Sequence, residues 1–222
     1  MLLYSMKEKQ YEAMQNLQAT QGRFQLGLIS NAVWYDDPKS LLFKLARYKF
    51  VSQILKDCGS VLEVGCGDGF CSRIVSVSVE KLTLSDFDGE FIQEIEKNGN
   101  QVTDQLVVFN PVLESLAEKF DAIYSLDVIE HVDSSNEISF ITNLKKSLNE
   151  RGIIVFGTPS LESQVYASER SKLGHINCKS AEDWKALFKE HFRIVFQFGM
   201  NDEVVHTGFG KMSHYLFFIC ID

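Results

Sequence analysis

Gly65-Cys66-Gly67-Asp68-Gly69 is the stretch of this sequence whose residue types most directly offer chemistry. Alternate glycines after an apolar run let a ligand lie against bare backbone amides where a helix begins. The dinucleotide fingerprint G-x-G-x-x-G would need its third glycine at position 70, which holds Phe70. That third glycine allows close helix–strand packing beside a pyrophosphate, so its replacement counts against a dinucleotide. Glu63 stands two residues before the first glycine, and Asp86 stands 21 residues after it, at the end of a second apolar run. A carboxylate in the place of Asp86 can accept hydrogen bonds from both hydroxyls of a ribose. Bonds to a charged acceptor are about twice as strong as neutral ones. The five cysteines, Cys58, Cys66, Cys71, Cys178 and Cys220, contain no CxxC pair. Neither a structural zinc site nor a disulfide framework is expected, no metal is expected, and reduced thiols point to the cytoplasm.

The elements that position these residues alternate along the chain. Residues 7–30 read as one or two polar helices, and Trp34-Tyr35-Asp36-Asp37-Pro38 as a break, because proline restrains itself and its predecessor. Ser40 is expected to cap a helix from Leu41 to about Lys56. Seven strands follow at Val61–Val64, Lys81–Ser85, Gln105–Phe109, Phe120–Ser125, Gly152–Gly157, Phe192–Gln197 and His214–Ile221. Helices are expected over Gly89–Lys97, about Asn136–Leu148, and Ser180–Glu190 with Ser180 as its cap. Strands alternating with helices imply right-handed crossovers and a doubly wound α/β sheet in one domain. The sheet is mostly parallel, and the last two strands form an antiparallel pair at its edge. The expected division is a helical cap over 1–40, a main domain over 41–222, and a substrate loop over about 159–180.

Composition excludes several function classes. Of 222 residues, 30 are Asp or Glu and 22 are Lys or Arg, for a net charge of −8. Affinity for nucleic acid comes chiefly from lysines and arginines on phosphates, so an acidic chain is a poor candidate for it. No Asn-Pro-Pro-Tyr or Asp-Pro-Pro-Tyr motif is present to hold a flipped base. No apolar run reaches the roughly 18–20 residues of a membrane span. Met1 to Lys9 lacks the basic-then-apolar order of a signal peptide.

Val61-Leu62-Glu63-Val64-Gly65-Cys66-Gly67-Asp68-Gly69-Phe70 closely resembles the first motif of class I S-adenosylmethionine-dependent methyltransferases. Phe120-Asp121-Ala122-Ile123-Tyr124-Ser125-Leu126-Asp127-Val128-Ile129-Glu130-His131-Val132 is similar to the family's fourth-strand motif, and Gly152–Gly157 with Thr158-Pro159 to its fifth strand. The resemblance spans about residues 40–160 in order, and it implies a Rossmann-like fold that binds S-adenosylmethionine and releases S-adenosylhomocysteine. It assigns Glu63, Gly65, Cys66 and Gly67 to the cofactor turn, Asp86 to the ribose, and Phe87 to the adenine. Leu126 and Asp127 fall to the methionine end, and Arg47 on the preceding helix to the cofactor carboxylate. The family often has an acid after the third strand, where this chain reads Asn110-Pro111-Val112-Leu113. Adenine recognition would then rest on Asn110 or on the backbone of Val112 or Leu113.

Methyl transfer is a displacement at a sulfonium methyl, which requires an aligned acceptor and exclusion of water. A hydroxyl acceptor also requires a base, for which histidine is suited. His131 and His175 lie on loops expected on the cofactor side of the sheet, with His175 as base and His131 orienting it or the acceptor. His191 reads as structural, while His206 and His214 carry no assignment. Trp34 and Tyr35 (with Phe24) form a candidate lid, and Tyr166, Lys172 and Asn177 are candidate substrate contacts. Arg170, Lys172 and Lys179 flank His175 and suit an anionic acceptor. The expected partner is a small polar molecule methylated on oxygen: a sugar, a nucleotide-activated metabolite or a phosphoryl-type oxygen. Segments near Trp34 and His175 faintly resemble methyltransferases of bacterial surface-polysaccharide or natural-product pathways. The rival readings are a nicotinamide-dependent oxidoreductase and a non-catalytic module on the same fold, and the expected state is a monomer or homodimer.

Overall fold

The computed structural model describes residues 8–98 and 103–222. The Met1–Lys9 segment therefore falls almost wholly outside the described residues. Three helices lead: α1 (Glu12–Gln21), α2 (Leu28–Asp36) and α3 (Pro38–Ile54). The break expected at Trp34 is confined to Asp37, and α2 continues through Trp34, Tyr35 and Asp36. Asp37, not Ser40, caps α3: its carboxylate accepts from the Lys39 amide at 3.2 Å, with Pro38 at the first helical position. Proline belongs there because its missing N–H has no partner to lose.

There follow β1 (Ser60–Val64), α4 (Arg73–Ser76), β2 (Lys81–Asp86), α5 (Gly89–Lys97), β3 (Gln105–Val108) and β4 (Phe120–Leu126). The chain then forms α6 (Glu137–Lys146), β5 (Leu148–Pro159), α7 (Glu169–Gly174), α8 (Ala181–His191), β6 (Ile194–Asn201), β7 (Val204–His206) and β8 (Tyr215–Ile221). Ser180 caps α8 as expected, accepting from the Asp183 amide. The strands form one sheet in the order β3-β2-β1-β4-β5-β8-β6-β7. β1 to β5 run parallel, β8 is antiparallel to both β5 and β6, and β7 is antiparallel to β6. The sheet has eight strands rather than about seven. The last two expected strands, β6 and β8, form the expected antiparallel pair toward the edge, with β8 next to β5 and the additional short β7 outermost.

The two faces bury separate cores. One holds Leu41, Tyr48 and Val51 of α3, Val75 of α4, and Ile92 and Ile95 of α5. The other holds Phe140, Ile141 and Leu144 of α6 with Trp184 and Phe188 of α8. Central strands covered on both sides read as apolar runs, as Ile153–Phe156 of β5 does, whereas β1 carries one buried acid, Glu63, among its apolar residues. From β1 the chain winds outward through β2 to β3, then returns to β4 on the other side of β1. The crevice outside the carboxyl ends of β1 and β4 is the topological switch point, where α/β sheets bind ligands.

Candidate active site

The glycine turn occupies that switch point. Gly65 and Gly67 have φ of +80° and +54°, a region L side chains rarely adopt. A Cβ on Gly65 would overlap Cγ2 of Val128. The Gly65 and Cys66 amides donate to the Ser85 carbonyl at 2.8 and 3.0 Å, tying the turn to β2. Asp86, at the end of β2, is buried and accepts from the Gly67 amide at 3.0 Å and the Asp88 amide at 3.0 Å. One acid thereby orients both the turn and the start of α5, with lone pairs left on both oxygens. Cys66 is buried, and burial pushes its thiol far above the ordinary range, so it is not a nucleophile.

Glu63 is buried beneath the turn, facing α3. It accepts from the Tyr48 hydroxyl at 2.7 Å and the Tyr124 hydroxyl at 2.5 Å. Burial raises its pKa, and hydrogen bonds from the neighbouring hydroxyls partly oppose that rise. Its place is structural: it braces α3 against β1 and β4. The tyrosines that hold it carry no signal in the sequence.

α2 lies on the turn. The Asp68 carboxylate accepts from the Ser30 amide at 2.6 Å and the Ser30 hydroxyl at 3.1 Å, capping the start of α2 from outside. Ile29 rests over Gly67, and Phe24 packs on Phe70 with ring centroids 5.6 Å apart. Trp34 and Tyr35 are exposed, away from these contacts.

Following Asp86, Phe87, expected at the adenine, is exposed. Asn110 accepts the Val112 amide on Oδ1 at 3.0 Å, and its carbonyl accepts the Leu113 amide at 3.0 Å. The Val112 amide is engaged in an Asx turn and the Leu113 amide in a backbone turn, so neither is a free donor. The half-buried Asn110 side-chain amide nitrogen makes no hydrogen bond among the described residues. Leu113 is exposed.

At the end of β4, Leu126 is buried and Asp127 adopts φ +56°. Nη1 of Arg47 donates to both Asp127 oxygens, at 2.9 and 2.8 Å. The guanidinium also stacks on the Tyr215 ring, 3.9 Å from its centroid. Burial works against the Arg47 charge, and Asp127 more than restores it. Nε of Arg47 is buried and has no hydrogen-bond partner, nor does the Tyr215 hydroxyl. Arg47, Tyr215 and His214 line a cavity of about 60 Å³. A wider cleft of about 560 Å³ lies along α5, lined also by Leu28 and Asp88, and shares no lining residue with the smaller cavity.

Beyond Asp127 the chain makes a short turn at Ile129–His131. Nδ1 of His131 contacts the Gly174 carbonyl at 2.8 Å, and Nδ1 of His175 contacts Oε1 of Gln164 at 2.8 Å. The two rings meet edge to face, 5.2 Å between centroids. Burial, and secondarily His131, lowers the pKa of His175, which favours the neutral ring. Glu130 is wholly buried, and burial together with Asp127 raises its pKa well above the carboxylate range. Neither of its oxygens has a partner. Sequence reasoning quoted Glu130 within its motif but gave it no role, and it missed Gln164.

The remaining expected substrate contacts separate. Tyr166 is exposed. Lys172 pairs with Glu169 at 2.9 Å on the surface of α7. Asn177 is buried with both polar ends engaged, donating to Glu137 at 2.9 Å and accepting from Lys179 at 2.8 Å. Its amide donates to the Glu130 carbonyl, so Asn177 braces the loop that carries Glu130.

A sequence profile of a methyltransferase-domain family matches residues 38–192. No curated protein matches the chain. Among solved structures, N-methyltransferase NodS from Bradyrhizobium japonicum WM9, in complex with S-adenosylhomocysteine, is 18% identical with a TM-score of 0.60. The match covers 97% of this chain and 99% of that one. The plantazolicin methyltransferase BpumL, also with S-adenosylhomocysteine, is 16% identical with a TM-score of 0.62, covering 95% and 98%. The methyltransferase domain of bacterial CtHen1 is 16% identical with a TM-score of 0.64, covering 81% and 100%. At such identities the likeness speaks for the fold, while the profile match spans most of the chain. The chain belongs to the class I S-adenosylmethionine-dependent methyltransferase family.

Proposed function

We propose that this protein transfers the methyl group of S-adenosylmethionine to an oxygen of a small polar acceptor. The observation that carries the reading is two chemically distinct groups of residues beyond the carboxyl ends of the central parallel strands, where α/β sheets bind ligands. The Gly65–Gly69 turn and Asp86 form one group, and the His131–His175 pair the other. Asp86 takes the ribose hydroxyls on its remaining lone pairs, and Phe87 and Asn110 border the adenine. Arg47 keeps its Nε for the carboxylate at the methionine end, next to Leu126 and Asp127. α2, docked on the turn through Ser30, serves as lid, and residues 159–180 border the acceptor.

The reaction forms a bond from acceptor oxygen to methyl carbon, while the electron pair of the carbon–sulfur bond stays on sulfur. The enzyme's task is alignment within about 3–3.5 Å and exclusion of water. The hydroxyl proton must leave, and His175, neutral and held through Nδ1, is the group we assign to receive it. This favours oxygen over nitrogen as acceptor, although N-methyltransferases share the fold. The five free thiols support a reducing compartment.

Isothermal titration with S-adenosylhomocysteine tests the cofactor site. One equivalent is expected to bind at micromolar concentration, and Asp86→Ala is expected to weaken it about 100-fold, from about 3 kcal/mol of lost charge-assisted bonds. Absence of binding below millimolar, or undiminished binding by that variant, refutes the reading. His175→Ala is expected to reduce methyl transfer far more than cofactor binding; an equal loss of both removes His175 from the acceptor end.

A further inference from the structure

The geometry points to a metal site: we propose that Glu130, His131 and His175 bind one divalent transition-metal ion at the acceptor end of the crevice. The binding claim stands on side-chain placement alone. What the ion would do rests on the methyl transfer proposed above.

One donor atom from each of the three residues lies within 4.8 Å of the others. Ligands of a tetrahedral ion with bonds of about 2.1 Å sit about 3.4 Å apart, so small side-chain rotations close the set. The two imidazoles are presented in the form a metal requires. The Gly174 carbonyl can only accept, so His131 carries its proton on Nδ1 and keeps a lone pair on Nε2. Gln164 does the same for His175, and its amide is fixed the right way round because its nitrogen donates to the Ser160 carbonyl at 3.1 Å. Metal-bound histidines nearly always have such a partner on the second nitrogen.

Glu130 supplies the independent observation. It is wholly buried, and neither oxygen has a hydrogen-bond partner. Among the described residues no ion pair reaches it: Arg47 is spent on Asp127, and Lys179 on Glu137. A buried carboxyl without a partner costs a few kcal/mol and persists where something else satisfies it. Its backbone carbonyl accepts from the Asn177 amide at 2.9 Å, and the side chain is wholly buried. Two imidazoles and a carboxylate suit zinc, manganese or iron(II) rather than calcium or magnesium, and three protein ligands leave positions open. The cysteine count gave no hint of this, because the ligands are imidazole and carboxylate groups brought together from two loops.

An ion there would lower the pKa of an acceptor hydroxyl reaching an open position. The proton goes to solvent, the oxygen's electron pair forms the bond to the methyl carbon, and the sulfonium leaves as a neutral thioether. With Nδ1 protonated and Nε2 on the ion, His175 would have no lone pair for the proton, so in the metal-loaded protein the ligand role replaces its assignment as proton acceptor.

The test strips the full-length protein with a chelator and titrates Co²⁺, followed by its visible absorption, with calorimetric titration of Zn²⁺ alongside. One equivalent is expected at micromolar concentration. His131→Asn and His175→Asn are each expected to weaken binding at least 100-fold, and Gln164→Leu, which removes no ligand, about 10–100-fold. Circular dichroism confirms folding, and Gln164→Leu keeps the test decisive if a histidine variant does not fold. Binding only at millimolar Co²⁺, or binding indifferent to all three substitutions, overturns the proposal. S-adenosylhomocysteine titration separates the two readings. Cobalt binding without cofactor binding leaves the metal site and sinks the methyl transfer, and the reverse result leaves the methyl transfer and sinks the metal site.

Discussion

On the β1–β2 side of the crevice the chain answers its own acids. Glu63 receives two tyrosine hydroxyls, Asp86 two backbone amides, and Asp68 the amide and hydroxyl of Ser30. On the β4–β5 side, Glu130, Ser125, the Tyr215 hydroxyl and Nε of Arg47 are buried without hydrogen-bond partners, and Asp127 holds a positive φ. Each unanswered group costs about 1–3 kcal/mol, and strain at Asp127 adds a similar amount. A ligand that is the same in every turnover can be read by a preformed backbone turn. The β4–β5 side instead leaves polar groups for ligands to satisfy, Nε of Arg47 for the cofactor carboxylate and the others toward the proposed acceptor.

The contrast is broken most directly at Gly65. Alanine there meets both a φ of +80° and the side chain of Val128. Gly65→Ala is expected to destabilise the fold by about 2 kcal/mol. It is also expected to abolish S-adenosylhomocysteine binding while sparing Co²⁺ binding at Glu130, His131 and His175. Thermal unfolding and the two titrations decide it; parallel loss of both ligands in a folded variant means that the two ends are one unit.

What the sequence made legible was the preformed end. Gly65 to Gly69 and Asp86 are read from a contiguous turn and a fixed offset, because local backbone geometry dictates residue type there. The positions of seven strands and the mostly parallel sheet followed from alternation of apolar runs with helices, whereas the strand order came only from the structure. The acceptor end was legible only as a pair of histidines. Arg47 was expected at the cofactor carboxylate, and its ion pair with Asp127, 80 residues away, depends on how α3 crosses β4. Gln164 fixes a tautomer, and Asn177 braces the Glu130 loop from its backbone; neither role has a sequence pattern. Ser30 looked like one more polar helix residue until Asp68 capped it. β7 escaped because three residues carry too little periodicity to register.

The carboxylate beneath the turn sharpens the comparison through pH. The folded-state pKa of Glu63 is raised, chiefly by burial. A raised value means the native state holds the proton more tightly than the unfolded chain. That stability is present in full below the unfolded pKa of about 4.3 and is lost as pH rises through the folded value. Glu63→Gln stays neutral throughout. Its stability relative to the parent is therefore expected to rise with pH from about 4.3 upward and then level off, as urea unfolding across that range would show. A difference that stays flat with pH means Glu63 does not titrate between the two states.

The smallest effect is expected at the lid. Ser30→Ala removes the hydroxyl bond to Asp68, while the Ser30 amide and the Phe70 amide still reach that carboxylate. Asp68 is not orphaned, so the loss is about 1 kcal/mol or less. If α2 must lift from the turn for the cofactor to leave, weakening its closed state by that amount raises the dissociation rate of S-adenosylhomocysteine about fivefold. Metal affinity at the other end should not move. Stopped-flow displacement measures the rate, and an unchanged rate in a variant that has lost stability means the cofactor leaves without disturbing α2. In that case Asp68 holds α2 only as a helix cap, and the lid must be sought among the exposed residues of 159–180 on the acceptor side.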